Sequence, residues 1–236
     1  MARLEREAEA AVLEADPRDR LAEAGAEPAG VRLDEADAAP VAVDGDRSGV
    51  SLIQSNAGGF GSGLGDTSTG IGLQNRGLGF SLEPGHPAEY GPGRRPPSTL
   101  APVLLTGPGG GLVGTVGTMG GDAQPQVVLQ LLARLLAKGE APGPALAAGR
   151  FALGPRSPGE APGFSTWNEG GRVAVEVEAH APPAWVDGLA ARGHTVRPAP
   201  AFSPRFGHAQ SILVRPDGML EAAADPRAPA SGPIGW

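Results

Sequence analysis

Between residues 50 and 102 the chain alternates short apolar runs with glycine and proline: VSLIQS, then GGFGSG, then TGIGLQN, then a Pro/Gly loop ending in RRPPSTLAP. Relative to alanine, a glycine inside a helix costs about 1 kcal/mol and a proline about 3 kcal/mol. No helix can run far through this stretch, so its apolar runs read as short strands joined by turns. The same bias extends along the chain, which holds 38 glycines and 25 prolines in 236 residues. Such a level without a period would ordinarily point to disorder. Here the glycines fall between strand-like runs, and 40% of the residues are hydrophobic. The reading is a loop-rich mixed α+β fold with enough chain for one sizeable core.

Charge and composition exclude several function classes. A net charge of −7 opposes a nucleic-acid partner, which needs clustered Lys and Arg. Arg94-Arg95 is a basic doublet in a Pro-rich loop, and at 4% the aromatics are too few for a base-stacking surface. With no cysteine, disulfides, thiolate catalysis and Cys-type zinc sites are ruled out. No apolar run has the length of a membrane span, and the first residues, MARLEREAEAAVLEAD, lack an apolar signal core. On this reading the chain stays in the cytoplasm and has no membrane partner.

Residues 2–24 carry Leu4, Ala8, Val12 and Leu13 at helical spacing, and Pro17 breaks them into two short helices. Residues 25–40 read as an acidic linker. Residues 41–43 and 50–55 flank the turn DGDRSG and form a hairpin. Residues 82–97 form a surface loop. Residues 100–105 and 112–116 form a second hairpin. The strongest helix spans residues 124–138, where Val127, Val128, Leu131, Leu132, Leu135 and Leu136 make one apolar stripe, with Asp122 as cap and Gly139 as stop. A short helix at 142–149, an irregular loop at 154–171, a strand at 173–177 and a helix at 183–192 follow. Strands at 195–197, 209–215 and 219–223 complete the chain.

Three tempting motifs fail. GGGLVG at 109–114 matches G-x-G-x-x-G, yet strand-like residues follow it where a dinucleotide site needs a helix. The four histidines, His86, His180, His194 and His208, show no metal-ligand spacing. No serine sits in a G-x-S-x-G elbow. No cofactor or metal is expected.

The run from VSLIQS through RRPPSTLAP and GTVGTMGGDAQPQ (114–126) to ADPR (224–227) resembles the small, C-terminal catalytic portion of the γ-glutamyltranspeptidase family over residues 41–236. The resemblance implies half of the αββα four-layer sandwich of N-terminal-nucleophile hydrolases. It also makes residues 1–40 a helical and linker segment, the tail of a large subunit. In that family a proenzyme cuts itself before a threonine, whose hydroxyl then attacks a γ-glutamyl amide with its own amine as base. Counting back from Asp44 in the family's spacing places Asp37 at the nucleophile, or Ala38 if one residue is deleted. Neither carries the hydroxyl, and no threonine precedes Thr67. The chain as written is expected neither to cut itself nor to form the acyl-enzyme.

The supporting positions match better. Ser55 falls where a hydroxyl buttresses the nucleophile, or is a strand-end serine bonded to backbone. Ser98 and Thr99 fall where paired hydroxyls hold the substrate carboxylate, or simply make a turn. Gly120 and Gly121 fall where backbone N–H groups form the oxyanion hole, just ahead of the strongest helix, whose dipole favours negative charge. Arg76 and Gly79 in QNRGLGF replace two carboxylates that bind a substrate amine in γ-glutamyl-specific members. Arg76 would instead pair with a carboxylate, as in the acylase-like branch, or serve a structural ion pair. Two functions stand open: an acyl transferase or amide hydrolase acting on a small acyl amide, and a non-catalytic remnant. The remnant would bind a large-subunit-like partner or a carboxylate ligand. Either needs a large-subunit-like chain or domain to complete the core.

Overall fold

The computed structural model describes residues 39–154 and 173–235. The helices expected over 2–24, the linker up to residue 38 and most of the loop expected over 154–171 fall outside the described residues. What is described divides into two units, residues 56–76 and the remainder.

The larger unit begins with a hairpin. Strand β1 (Val41–Val43) pairs antiparallel with β2 (Gly49–Ser51), with Ala42 opposite Val50. Its turn is tight because the Asp44 carboxylate accepts the Ser48 N–H at 2.7 Å. The sequence reading extended the second arm to residue 55; pairing ends at Ser51.

Residues 56–76 form the smaller unit, in which β3 (Gly65–Asp66) pairs with β4 (Ile71–Gly72). Asp66 organises the turn by accepting the Ser68 N–H at 3.1 Å and the Thr69 hydroxyl at 2.7 Å. The Thr69 hydroxyl, then Ser68, hold its carboxyl below its ordinary pKa. Gly61 has φ 77°, and a Cβ there would lie 2.3 Å from the Leu73 carbonyl, so only glycine fits.

In the larger unit β5 (Val103–Thr106), β6 (Leu112–Thr118), β10 (Ala209–Val214) and β11 (Leu220–Ala224) form an antiparallel sheet in the order β11-β10-β6-β5. The glycines at 109–111 make the β5–β6 turn, with the Gly107 N–H donating to the Gly111 carbonyl at 2.9 Å. That geometry agrees with rejecting the dinucleotide motif. Alternation along β6 sends its side chains to two layers. Val116 faces helix α1 (Gln124–Leu132) and α2 (Pro142–Ala147), within a core of Val127, Leu131, Leu135, Ala145, Leu146 and Ala209. Thr115 and Gly117 face the hairpin. The Thr115 hydroxyl reaches the Val50 carbonyl at 3.4 Å, and a Cβ on Gly117 would come 2.9 Å from the Ala39 carbonyl. Glycine at 117 therefore lets the incoming chain lie directly on the sheet.

Helix α1 begins as the sequence predicts but continues as a π turn, Ala133–Ala137, in which the Lys138 N–H reaches back to Ala133 at 3.1 Å. Gly139, at φ 66°, ends it as expected. The expected cap does not form: Gly120 and then Ala123 occupy the N-cap positions without side-chain bonds, and Asp122 lies inside a 3₁₀ turn, Gly121–Ala123.

A second sheet joins β7 (Phe151–Gly154), β8 (Ala174–Glu178) and β9 (Thr195–Ala199), with β8–β9 parallel across helix α3 (Pro183–Ala191). Val175, Val177 and Ala181 pack there against Phe151, Trp185 and Leu189. Two glutamines of α1 fasten the β7 edge. Gln126 accepts the Leu153 N–H at 2.7 Å, and Gln130 both accepts from and donates to Phe151.

Candidate active site

Gly120 (φ 136°) and Gly121 (φ 51°) turn the chain sharply between β6 and α1. L-residues rarely adopt such angles, so glycine is favoured at both, most strongly at Gly120, where a Cβ would also lie 3.3 Å from the Gly207 Cα. Among the described residues neither glycine N–H donates a hydrogen bond. N–H groups without a partner at a helix head favour negative charge nearby. The adjoining Asp122 is half-buried, and burial pushes its carboxyl above the ordinary pKa.

The structure brings the 98–101 segment to this turn. Gln124, buried at the first position of α1, accepts the Ala101 N–H at 3.1 Å. Ser98 is exposed and accepts the Leu100 N–H at 3.3 Å, while Thr99 is half-buried and engaged. The hydroxyl pair and the glycine pair thus belong to segments joined by one side-chain bond. Sequence reading gave Gln124 no role, although its place three residues after the glycine pair, at the head of the strongest helix, was the available signal.

Ser55 follows β2, is half-buried, and is already engaged. Ser51, which the sequence reading left unassigned, bridges layers instead: its hydroxyl donates to the Val116 carbonyl at 2.9 Å and accepts the Val103 N–H at 3.3 Å. Asp37 and Ala38 lie outside the described residues. Ala39 directly after them is buried, its carbonyl against Gly117. Arg76 ends the smaller unit, buried and engaged, with its N–H donating to the Gln74 side chain. Among the described residues no three His, Asp or Glu side chains gather as a metal-binding set. No helix among them is long and apolar enough to cross a membrane.

A buried ion cluster backs the site. Arg150, Glu178, Asp225 and Arg227 are each no more than 4% exposed. Arg150 donates to Asp225 at 2.6 Å and to the Leu146 and Phe206 carbonyls at 2.9 and 2.8 Å. Arg227 grips both Glu178 oxygens, Asp225 at 3.0 Å and the Leu146 carbonyl at 2.9 Å. The carboxylates in turn accept backbone N–H groups of Arg150, Ser203, Ala209 and Arg227. These bonds leave both carboxylates fully engaged, with the Arg150 Nε as the one buried cluster atom lacking a partner among the described residues, and they are what makes four buried charges tolerable. ADPR stood out in the sequence only as part of the resemblance; that its aspartate and arginine meet Arg150 and Glu178 required the fold.

The chain matches the family described as gamma-glutamyltranspeptidase over residues 23–233, and it belongs to that family. It is 37% identical over 185 residues to the oxamate amidohydrolase proenzyme of Klebsiella pneumoniae, covering 78% of this chain and 33% of that one. The cephalosporin acylase of Bacillus halodurans superposes with a TM-score of 0.64 at 36% identity, over 78% of this chain and 31% of that one. A gamma-glutamyltranspeptidase chain from Pseudomonas nitroreducens superposes with a TM-score of 0.62 at 25% identity, over 83% of this chain and 96% of that one. The chain spans about a third of the length of the curated relatives it matches. It corresponds to the family's small-subunit portion.

Proposed function

We propose that this chain is the oxyanion-binding and carboxylate-binding part of an N-terminal-nucleophile amide hydrolase or acyl transferase, and that it lacks the nucleophile as written. The reading is carried by the Gly120–Gly121 turn, whose N–H groups are undonated among the described residues and which Gln124 ties to the Ser98–Thr99 segment. In this mechanism a hydroxyl oxygen adds to the amide carbonyl carbon while its proton passes to a neighbouring amine. The glycine N–H groups receive the oxyanion, the amine leaves with a proton, and water later cleaves the ester. Ser98 and Thr99 hold the substrate carboxylate, and Ser55 buttresses the nucleophile.

The two layers seen on β6, hairpin on one face and helices on the other, are half of the αββα sandwich. A large-subunit-like portion covers the hairpin's outer face, and residues 1–40 are its tail. Arg76 suits an acyl group bearing a carboxylate rather than an ammonium. Relatives named as an oxamate amidohydrolase and a cephalosporin acylase are consistent with that preference.

Asp37 and Ala38 favour a second reading, a non-catalytic binder of such a partner or of a carboxylate, because neither residue supplies a hydroxyl. The intact mass of the purified chain after long incubation tests the first point. One uncut species is expected. A cut between residues 35 and 42 would overturn the assignment of the nucleophile position. An Ala38→Thr variant combined with the large-subunit portion of a relative then separates the readings: gain of amide hydrolysis supports the enzyme, and none supports the binder.

A further inference from the structure

The segment 206–209 touches the Gly120–Gly121 turn on one side and the buried ion cluster on the other. Gly207 has φ 84°, and a Cβ there would lie 2.5 Å from the Met119 carbonyl oxygen and 2.7 Å from the Thr118 hydroxyl. A Cβ on Gly120 would in turn lie 3.3 Å from the Gly207 Cα. The two backbones meet with no room for a side chain between them. The next carbonyl, that of His208, accepts the Met119 N–H at 3.2 Å. From behind, Arg150 donates to the Phe206 carbonyl at 2.8 Å and to the Gly207 carbonyl at 3.4 Å, and Asp225 accepts the Ala209 N–H at 3.0 Å. Phe206 is fully buried and anchors the segment.

We infer that Gly207 and His208 are positioning residues for the Gly120–Gly121 turn, and that the His208 imidazole must be neutral for the turn to keep its geometry. The inference rests on the reading of that turn as an anion site. The His208 Nε2 is buried and has no hydrogen-bond partner among the described residues. The charged groups facing the ring are Asp225, Arg150 and Arg227, one carboxylate against two guanidiniums. Desolvation first, with the two arginines adding and Asp225 opposing, holds its pKa below the ordinary histidine value. Protonation would bring a third cation to a cluster whose carboxylates are already shared, and would push segment 206–209 off its support. The folded chain thus binds this proton less tightly than the unfolded one. The arrangement is fully stable above the ordinary histidine pKa of about 6.5 and weakens as pH falls below it.

The test follows the Gly120 and Gly121 amide resonances of the full chain from about pH 8 to about pH 5, across the histidine range, with and without acetate as probe. Both resonances are expected to move with the His208 side-chain midpoint, and acetate affinity to fall severalfold toward the acid end. His208→Gln should abolish that midpoint. Any residual drift from the adjacent Asp122 carboxyl persists in this variant, so it can be subtracted. Gly207→Ala should displace both resonances and lose acetate binding while Leu131 keeps its shift; if that variant does not fold, His208→Gln decides alone. Glycine resonances that stay put through the His208 titration, or move identically in His208→Gln, would overturn the inference. Failure of acetate to perturb either glycine, with the turn still tracking His208, would overturn the anion reading and leave the positioning role standing.

Discussion

Asp122 sits where two effects oppose each other. A helix head favours a carboxylate, by about 0.3–1 kcal/mol when exposed. Burial disfavours it, and burial wins, since the carboxyl lies above its ordinary pKa with no hydrogen bond among the described residues to restore it. The folded chain then holds this proton more tightly than the unfolded chain. Stability falls as pH rises through the window above the ordinary Asp value of about 3.9, and the penalty is fully present at neutral pH. Asp122→Asn should therefore raise Tm at neutral pH and give no gain near pH 3, roughly a unit below that value. Equal gains at both would show that charge is not the cause. Single residues were unevenly legible. Gly120 and Gly121 were singled out by the resemblance, since a glycine pair alone reads simply as a tight turn. Gly207 was not, because its need for glycine comes from Met119, a neighbour only in space.

Elements with local causes were read well, and those made by distant partners were not. Helix α1 follows from its apolar stripe and Gly139, and both hairpins follow from their turns. Strand β7 was missed because FALG is four residues whose partner β8 lies across a long intervening stretch. The ion cluster was unreadable for the same reason: its members come from the β7 edge, the end of β8 and the segment after β11. Removing one member leaves a buried charge short of a partner. Arg227→Ala, which takes the guanidinium from Glu178 and leaves Asp225 with Arg150 alone, should cost about 3–5 kcal/mol in urea unfolding. At about 2–4 °C per kcal/mol that is on the order of a ten-degree fall in Tm. Pairing Arg227→Met with Glu178→Leu should recover part of the loss, since a buried pair gains little over apolar residues. A single-variant loss below about 1 kcal/mol would instead place the cluster in solvent-like surroundings.

Across the whole molecule, the layer count explains what this third of the family's length can and cannot do. The helices cover one face of the large sheet and the hairpin covers the other, but the hairpin's own outer face carries nothing from the described residues of the larger unit. Val50 and Leu52 point outward there, 56% and 57% exposed, with Ala42 opposite Val50. Alternation fixes this: Ser51 turns inward to bond Val116, so its two neighbours must turn out. An apolar strand pair left bare is an association surface. In longer relatives the proposed large-subunit layer would occupy it. The isolated chain should therefore self-associate as concentration rises, visible in sedimentation velocity. Val50→Glu with Leu52→Lys should keep it monomeric with little change in Tm, because neither side chain is buried in the monomer. The same variant should lose binding to a relative's large-subunit portion supplied in trans. A variant that unfolds would mean the hairpin face is internal packing; one that stays monomeric yet still binds would move the partner surface elsewhere on the chain.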